Sequence, residues 1–335
     1  MFGFKTRPPG GRRANPKRVS DISRAGSWPQ VRASVVIPLF NKAAYVMRAV
    51  DSVLAQTVRD LEAIVVDDGS TDGGGELVAA CSDQRVRLIV QANAGEGPAR
   101  QRGIEEARAE YLSFLDPDDE WLPGFLEWGL RLVEDFPQSG AAALGMEWIR
   151  SGGPSPPVTS SPSAPRPYRG ILPDYFEASF DSPLLTSSSS IVPRRVIDEL
   201  KPRVSRSRLG ADQYLWCQIA LKYPVAYDSA VCARYHTEAL GRSGEIYADE
   251  GELPMVTLLR EALSEGAADR RMRRSIRRYI ARHQFIAIRR ILRRGGNPAL
   301  ARQLLLGFRP PVRDSARWVR YWIRSFRVKP GGGEE

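Results

Sequence analysis

The amino-acid sequence predicts an α/β fold with a mostly parallel central sheet flanked by helices, and three observations carry that reading. Short apolar runs at 34–40, 63–66, 86–90 and 111–115 have the length and composition of buried strands. The segments between them carry helical periodicity. Their spacing leaves room for the crossover connections that parallel neighbours require, so strand and helix alternate as βαβ units.

Taken in order, the chain begins with a flexible arm over 1–32, rich in Arg, Pro and Gly and almost without apolar periodicity. Order starts near Ala33. After the first strand, Val46, Val50, Val53 and Leu54 mark one helical face; after the third, Ala99, Gly103, Ile104 and Ala107 do the same. A helix over 120–134 follows the fourth strand. The Ser/Pro-rich stretch 151–167 reads as a loop or insertion. Beyond Gly251 the sequence turns helical over 253–263, 270–294 and 298–306, with a last helix from Pro310-Pro311 to about Val328. The domain reading is an arm (1–32), a catalytic domain (33–250, divided at 121/122) and a basic amphipathic extension (251–330).

Charge is distributed unevenly. The formal net charge is +10, yet residues 1–33 carry +7, residues 270–329 carry +18, and the body from 34 to 269 carries −13. An acidic body with cationic appendages is not the pattern of a uniformly basic nucleic-acid binder. The three cysteines, Cys81, Cys217 and Cys232, are odd in number, far apart and without metal-ligand spacing, so they suggest neither a disulfide framework nor a zinc site and fit a reducing compartment. No run approaches the roughly 18 apolar residues of a membrane span, and the N-terminus lacks the apolar core of a signal peptide. The expectation is a cytoplasmic protein.

Chemistry concentrates where carboxylates follow strands. Asp67-Asp68-Gly69-Ser70-Thr71-Asp72 succeeds the second apolar run, and Asp116-Pro117-Asp118-Asp119 succeeds the fourth. Both clusters therefore fall on the carboxyl edge of the sheet, where ligands of open α/β sheets bind. Two acids at spacing two on a tight turn can direct oxygens at one hard cation and leave positions open for diphosphate oxygens. Mg²⁺ or Mn²⁺ bound there would suit a nucleotide-diphosphate leaving group. The same turn read blandly is a solvated loop with a helix cap.

These clusters and their surroundings resemble glycosyltransferase family 2, inverting enzymes of the GT-A fold. The resemblance runs from Val35-Val36-Ile37-Pro38-Leu39-Phe40-Asn41 through Ser52-Val53-Leu54-Ala55-Gln56-Thr57 and the 66–72 turn. It continues through Asn93-Ala94-Gly95-Glu96-Gly97-Pro98-Ala99-Arg100-Gln101-Arg102-Gly103-Ile104 to Phe114-Leu115-Asp116-Pro117-Asp118-Asp119. Five motifs in order within 34–121 make it specific. It implies that Pro38, Phe40 and Asn41 line the nucleotide base and ribose, and that Asp68 accepts a hydrogen bond from the base edge. Arg100 would approach the base or diphosphate, and Asp116 and Asp118 would form the D-x-D, with Asp118 nearest the metal.

In the second half, 187–197, Leu209-Gly210-Ala211-Asp212-Gln213-Tyr214-Leu215-Trp216 and Arg234-Tyr235-His236 resemble the family's acceptor region. Asp212 stands where the family has its base, which must take the proton of the attacking hydroxyl. The family's preceding Glu is Ala211 here, and its Asn after Ala-Arg is Gln101. The Q-x-x-R-W motif of processive synthases is absent, so a single transfer is expected, to a glycan or lipid-linked acceptor from a nucleotide-diphosphate sugar, the nucleotide being UDP. A basic amphipathic C-terminus adds an anionic membrane surface as partner, at the inner face of the plasma membrane. Its signal is the arginine spacing 313, 317, 320, 324, 327 beside Trp318, Trp322 and Phe326, with a second stripe at 274, 278, 282, 289 and 293.

Four other readings compete. A nucleotidyltransferase would need a Gly-rich, Lys/Arg-containing loop right after the first strand, where this chain has Pro38-Leu39-Phe40-Asn41. A dinucleotide-binding oxidoreductase would need glycine where Arg100 stands. A nucleic-acid binder would use the arginine-rich tails, but no specific nucleic-acid partner is expected from the acidic body. An inactive GT-A scaffold stays open through Ala211, while the intact Asp116/Asp118 pair counts against it.

Overall fold

The computed structural model describes residues 31–150, 153–155, 167–204, 210–238 and 253–293, together with Ala299 and Leu304. The arm and most of the chain beyond 293, including the expected helix ending near Val328, lie outside the described residues.

The first half builds as the apolar runs require. Strands β1 (Ala33–Leu39), β2 (Leu61–Asp67), β3 (Val86–Val90) and β4 (Tyr111–Phe114) form a parallel array in the order β3-β2-β1-β4. Helices α1 (Ala43–Leu54), α2 (Gly74–Ala79) and α3 (Glu96–Glu106) make the crossovers. β1 is buried along its whole length because both faces are covered: Val35, Ile37 and Leu39 join the cluster under α1, while Val36 joins the one under α3. Close helix–strand approach depends on Gly103, where an added Cβ would lie 2.2 Å from Cγ1 of Val36. The approach that a dinucleotide motif would have needed at position 100 is thus supplied one turn later.

The second half makes the sheet mixed. Beside β4 lies β9 (Ser190–Pro193), antiparallel to it, then β6 (Ala141–Arg150), then β10 (Val225–His236), parallel to β6. Three short strands complete it: β5 (Glu120–Trp121) and β8 (Arg169–Ile171) antiparallel to β10, and β7 (Gly153–Ser155) antiparallel to β6. Two expectations change here. Residues 120 and 121 are strand rather than the start of a helix, because Trp121 is drawn into the core, stacks on Phe125 at 4.0 Å and donates its indole N–H to the Ser188 carbonyl. The helix proper, α4, spans Phe125–Asp135. Within the stretch read as a loop, residues 153–155 pair with β6.

Helices α5 (Tyr175–Ala178), α6 (Arg194–Leu200) and α7 (Ala211–Lys222) follow, with a 3-10 turn at Ser187–Ser189. The last described helices, α8 (Pro254–Ser264) and α9 (Arg273–Arg293), share one core with the sheet: Met255, Val256, Leu259, Ile276, Tyr279 and Ile280 cluster with Phe114, Phe176 and Trp216. The arginine stripe of α9 therefore divides. Arg278 is buried, pairs with Glu177 at 2.5 Å and stands 4.7 Å over the Phe180 ring, and Arg282 donates to the Asp181 carbonyl. Ser275 donates to Asp174, the N-cap of α5, at 2.6 Å. Arg270, Arg271, Arg274 and Arg277 remain exposed. The expected single stripe facing outward is thus corrected, because carboxylates about a hundred residues earlier draw Arg278 inward.

Candidate functional site

Parallel strands β1, β2 and β4 end on one edge, and the chain places its polar turns there. At the end of β1, Asn41 adopts φ +49°, a left-handed conformation that asparagine tolerates better than most residues. Its side-chain oxygen accepts from the Thr71 N–H at 2.8 Å, and its own N–H donates to Ser70 at 3.1 Å. Asn41 thereby clasps the 67–72 turn to β1. Asp68, 2% exposed, accepts from Gln91 at 2.7 Å, from the Ala94 N–H at 2.9 Å and from the Gly95 N–H at 2.7 Å. Its carboxylate is occupied in shaping the loop 91–95 ahead of α3. Pro38 is buried inside β1 opposite Val66, whereas Phe40 is partly exposed and Asn41 exposed.

Asp116 and Asp118 stand on the turn after β4, as the strand-end reading requires. Arg100, on the inner face of α3 and 3% exposed, donates to Asp116 at 2.5 Å and has its other terminal nitrogen 2.5 Å from Glu96. Lys42 donates to Asp118 at 2.7 Å. Asp119, 1% exposed, accepts from the Ser188 hydroxyl at 2.5 Å and from the His236 N–H at 3.1 Å. The Ser188 hydroxyl also receives the Asp116 N–H at 3.2 Å, so the acidic turn is tied to the second half of the chain. Asp212 occupies the first turn of α7, which starts after Gly210 at φ +72°.

Electrostatics join these groups into one site. Burial alone would weaken the Arg100 guanidinium's hold on its proton, but Glu96, Asp116 and Asp212 outweigh it and strengthen that hold. Burial pushes the Asp116 carboxyl up to about 7 against the pull of Arg100, with Glu96, Asp118 and Asp212 adding to the rise. Asp119 is raised by burial and then by Asp116 and Asp118. Asp212 is raised by burial too, opposed by Arg100 and reinforced by Glu96. Among the described residues, four of these five carboxylates are answered by two cations, Glu96, Asp116 and Asp212 by Arg100 and Asp118 by Lys42, while Asp119 is held by the neutral donors of Ser188 and His236.

That imbalance is the test of a divalent cation. Among the described residues no three His, Cys, Asp or Glu side chains form a group able to hold a metal by themselves. Mg²⁺ asks for less, since it is commonly held by one or two carboxylates with substrate phosphates and water completing its shell. Asp116 and Asp118 each engage one oxygen with a cationic side chain, which leaves one carboxylate oxygen apiece. The donor set therefore fits a cation brought with a diphosphate.

Sequence reasoning passed over Lys42 and gave Glu96 and Ser188 no role. Lys42 had a local signal, being the residue after the β1-end asparagine on the same edge. Ser188 sits in the serine run 187–190, where nothing local singles it out.

Residues 34–200 match the glycosyl transferase family 2 profile. An uncharacterized glycosyltransferase of Nostoc sp. is 42% identical over 117 residues, 34% of this chain and 35% of that protein. Glycosyltransferase GlyG of Streptococcus pneumoniae is 43% identical over 89 residues, 26% and 30% of the two chains. The matched stretches thus span about a third of these relatives. Among solved structures, S. aureus TarS residues 1–349 superposes with a TM-score of 0.62 at 14% identity, over 86% of this chain and 78% of that one. The same protein in complex with UDP-GlcNAc gives a TM-score of 0.59 at 14% identity, over 86% and 79%. At that identity the likeness is one of fold, and it makes the fold the GT-A type.

Proposed function

Residues 34–200 belong to glycosyl transferase family 2, and from that premise we propose that the chain transfers one sugar, with inversion, from a UDP-sugar to an acceptor hydroxyl. The acceptor is a glycan or a lipid-linked acceptor. One observation carries the reading: Arg100 gathers Asp116 from the strand-end turn and Asp212 from α7 into one electrostatic unit on the ligand-binding edge. The uridine nucleotide is supported by UDP-GlcNAc bound to TarS, a protein of the same fold.

In the proposed step the acceptor oxygen bonds to the anomeric carbon as the bond from that carbon to the diphosphate oxygen breaks. Asp212 takes the hydroxyl proton, and its raised affinity for protons brings it nearer the range of an efficient base at neutral pH. Inversion follows from a single displacement, with base and leaving group on opposite faces of the sugar. Asp118 and Asp116 would hold a Mg²⁺ or Mn²⁺, which when bound neutralises charge on the departing diphosphate. Asn41 and Asp68 keep the two turns that frame the nucleotide in place, through the bonds that fix 67–72 and 91–95.

Placement at the inner face of the plasma membrane is part of the same proposal. No helix of the described residues is long and apolar enough to cross a membrane. The outward arginines of α9 supply the charge for a peripheral contact. The test is a thermal-shift series of nucleotide diphosphates and their sugars with and without Mn²⁺, followed by transfer to glycan acceptors. A UDP-sugar that raises the melting temperature only with the cation, by binding the native state alone, is the expected result. No response to any nucleotide sugar overturns the reading.

A further inference from the structure

Lys42 is the cation that nothing in the motif pattern required. Asn41 turns the chain through φ +49° immediately before it, and Lys42 then occupies the N-cap of α1 with its side chain directed inward rather than into solvent. It is 7% exposed, and a lysine so deeply placed is rare unless its charge is answered. The answer is Asp118: Nζ lies 2.7 Å from Oδ2, with the two side chains 8% and 16% exposed. Arg48, further along α1, donates to the Asp118 carbonyl and fixes the backbone of the same residue.

Asp118 is also the carboxylate that would approach a metal most closely. An ammonium group at 2.7 Å already answers its charge. A divalent ion arriving alone would meet that ammonium at short range, and the repulsion between them would oppose its binding. A nucleotide diphosphate changes the balance by bringing negative oxygens of its own. Lysine, a point charge on a flexible four-carbon stem, can turn from a carboxylate to a phosphate without moving the backbone.

We propose that Lys42 is an exchangeable counter-ion: it holds Asp118 in the empty site, weakens binding of the metal alone, and passes to the diphosphate when nucleotide and metal enter together. Metal and nucleotide are thereby made interdependent, each removing the obstacle to the other. The proposal rests on the metal role of Asp118 given above, and its test separates the two.

The measurement is Mn²⁺ binding to the full chain, read from the spin resonance of free Mn²⁺, without nucleotide and with UDP. UDP binding in the presence of chelator is followed by calorimetry. Lys42→Met preserves the stem and removes the charge. Nucleotide-free Mn²⁺ affinity should rise at least about tenfold, because a unit charge about 4 Å away outweighs that factor even at an effective dielectric near 20. Metal-free UDP affinity should fall. Opposite shifts of the two affinities are what a merely structural lysine would not produce. Lys42→Gln carries the same expectation with a polar end group, should the Met variant lose its cooperative melting transition. Equal or weaker Mn²⁺ binding by a folded variant overturns the proposal. Absence of Mn²⁺ binding by the wild-type chain, even with UDP, overturns the metal reading itself and this proposal with it.

Discussion

Arg100 and Asp116 meet at 2.5 Å across two elements, the arginine on α3 and the aspartate on the turn after β4. The guanidinium is nearly inaccessible, with Glu96 on its other side and the field of Asp212 behind it. Removing it would leave three carboxylates facing one another without compensation, which is costlier than deleting a pair together. Arg100→Met should therefore cost about 3–5 kcal/mol at pH 7.5 in denaturant unfolding, and less at pH 5, where the carboxyls take up protons instead. UDP binding should fall with it. Equal stability at both pH values would mean that Arg100 does not hold this cluster.

Asp212 is read as the base, and its environment sets the pH at which it works. Its proton affinity is raised by burial and by Glu96, so the acid limb of kcat/KM should lie above the ordinary carboxylate range. The sign follows from the role. A base must be ionised, so activity rises with pH through the raised pKa. Asp212→Asn should lower turnover by about 10²–10⁴-fold and leave UDP affinity within about twofold. A loss under about tenfold on the true acceptor would move the base elsewhere.

The parts of the fold that were legible in the sequence are those fixed by neighbours along the chain. Strands β1, β2 and β4 announce themselves as apolar runs because both faces are covered, whereas β3, expected to be buried, is a half-buried edge strand with Val90 exposed; the acids after β2 and β4 mark the ligand edge without any tertiary information. Lys42 was hidden because its inward path depends on the Asn41 turn, itself held by residues 70 and 71. Asp68 reads as a ligand contact in the motif, and the motif gives no sign that its oxygens also shape a loop 23 to 27 residues away. Glu120 and Trp121 read as helix by pattern and become strand because Ala233 and Arg234 pair with them. Sequence periodicity likewise places Arg278 with Arg274, and it takes Glu177, 101 residues earlier, and the Phe180 ring to hold the first buried while the second stays exposed.

That division of α9 sharpens the membrane reading. Arg274 and Arg277 on α9, and Arg270 and Arg271 just before it, are exposed, and among the described residues none of their guanidinium groups is ion-paired, so their charge is available to an anionic surface. Near such a surface each contributes about 1 kcal/mol. Full-length protein should float with anionic but not neutral vesicles, and less so as salt increases. Arg274→Glu with Arg277→Glu should reduce flotation, and removal of 308–335 should reduce it further, with UDP binding unchanged in both. Undiminished flotation by the charge-reversed chain would take α9 out of the contact.

Asp116 links the chemistry of the site to the stability of the empty protein. Its carboxyl is pushed up to about 7 from the ordinary 3.8, so the fold favours its protonated form. A group raised in this way contributes stability that is full below about pH 4 and is lost as pH rises through about 7. In chelator, the wild-type chain should therefore lose stability between those values while Asp116→Asn, which cannot ionise, should not lose that increment. The variant should be more stable than wild type by about 1–2 kcal/mol at pH 7.5. That is well below the roughly 4 kcal/mol that three units would give, because the side chain is 30% exposed and water screens it. Near pH 4 the difference should vanish. Adding Mn²⁺ with UDP should restore wild-type stability at pH 7.5 and do little for the variant, since the charge that destabilises the empty site is the charge that holds the ligand. Parallel melting curves for the two chains from pH 4 to 7.5 would show that Asp116 is already ionised throughout and carries no such strain.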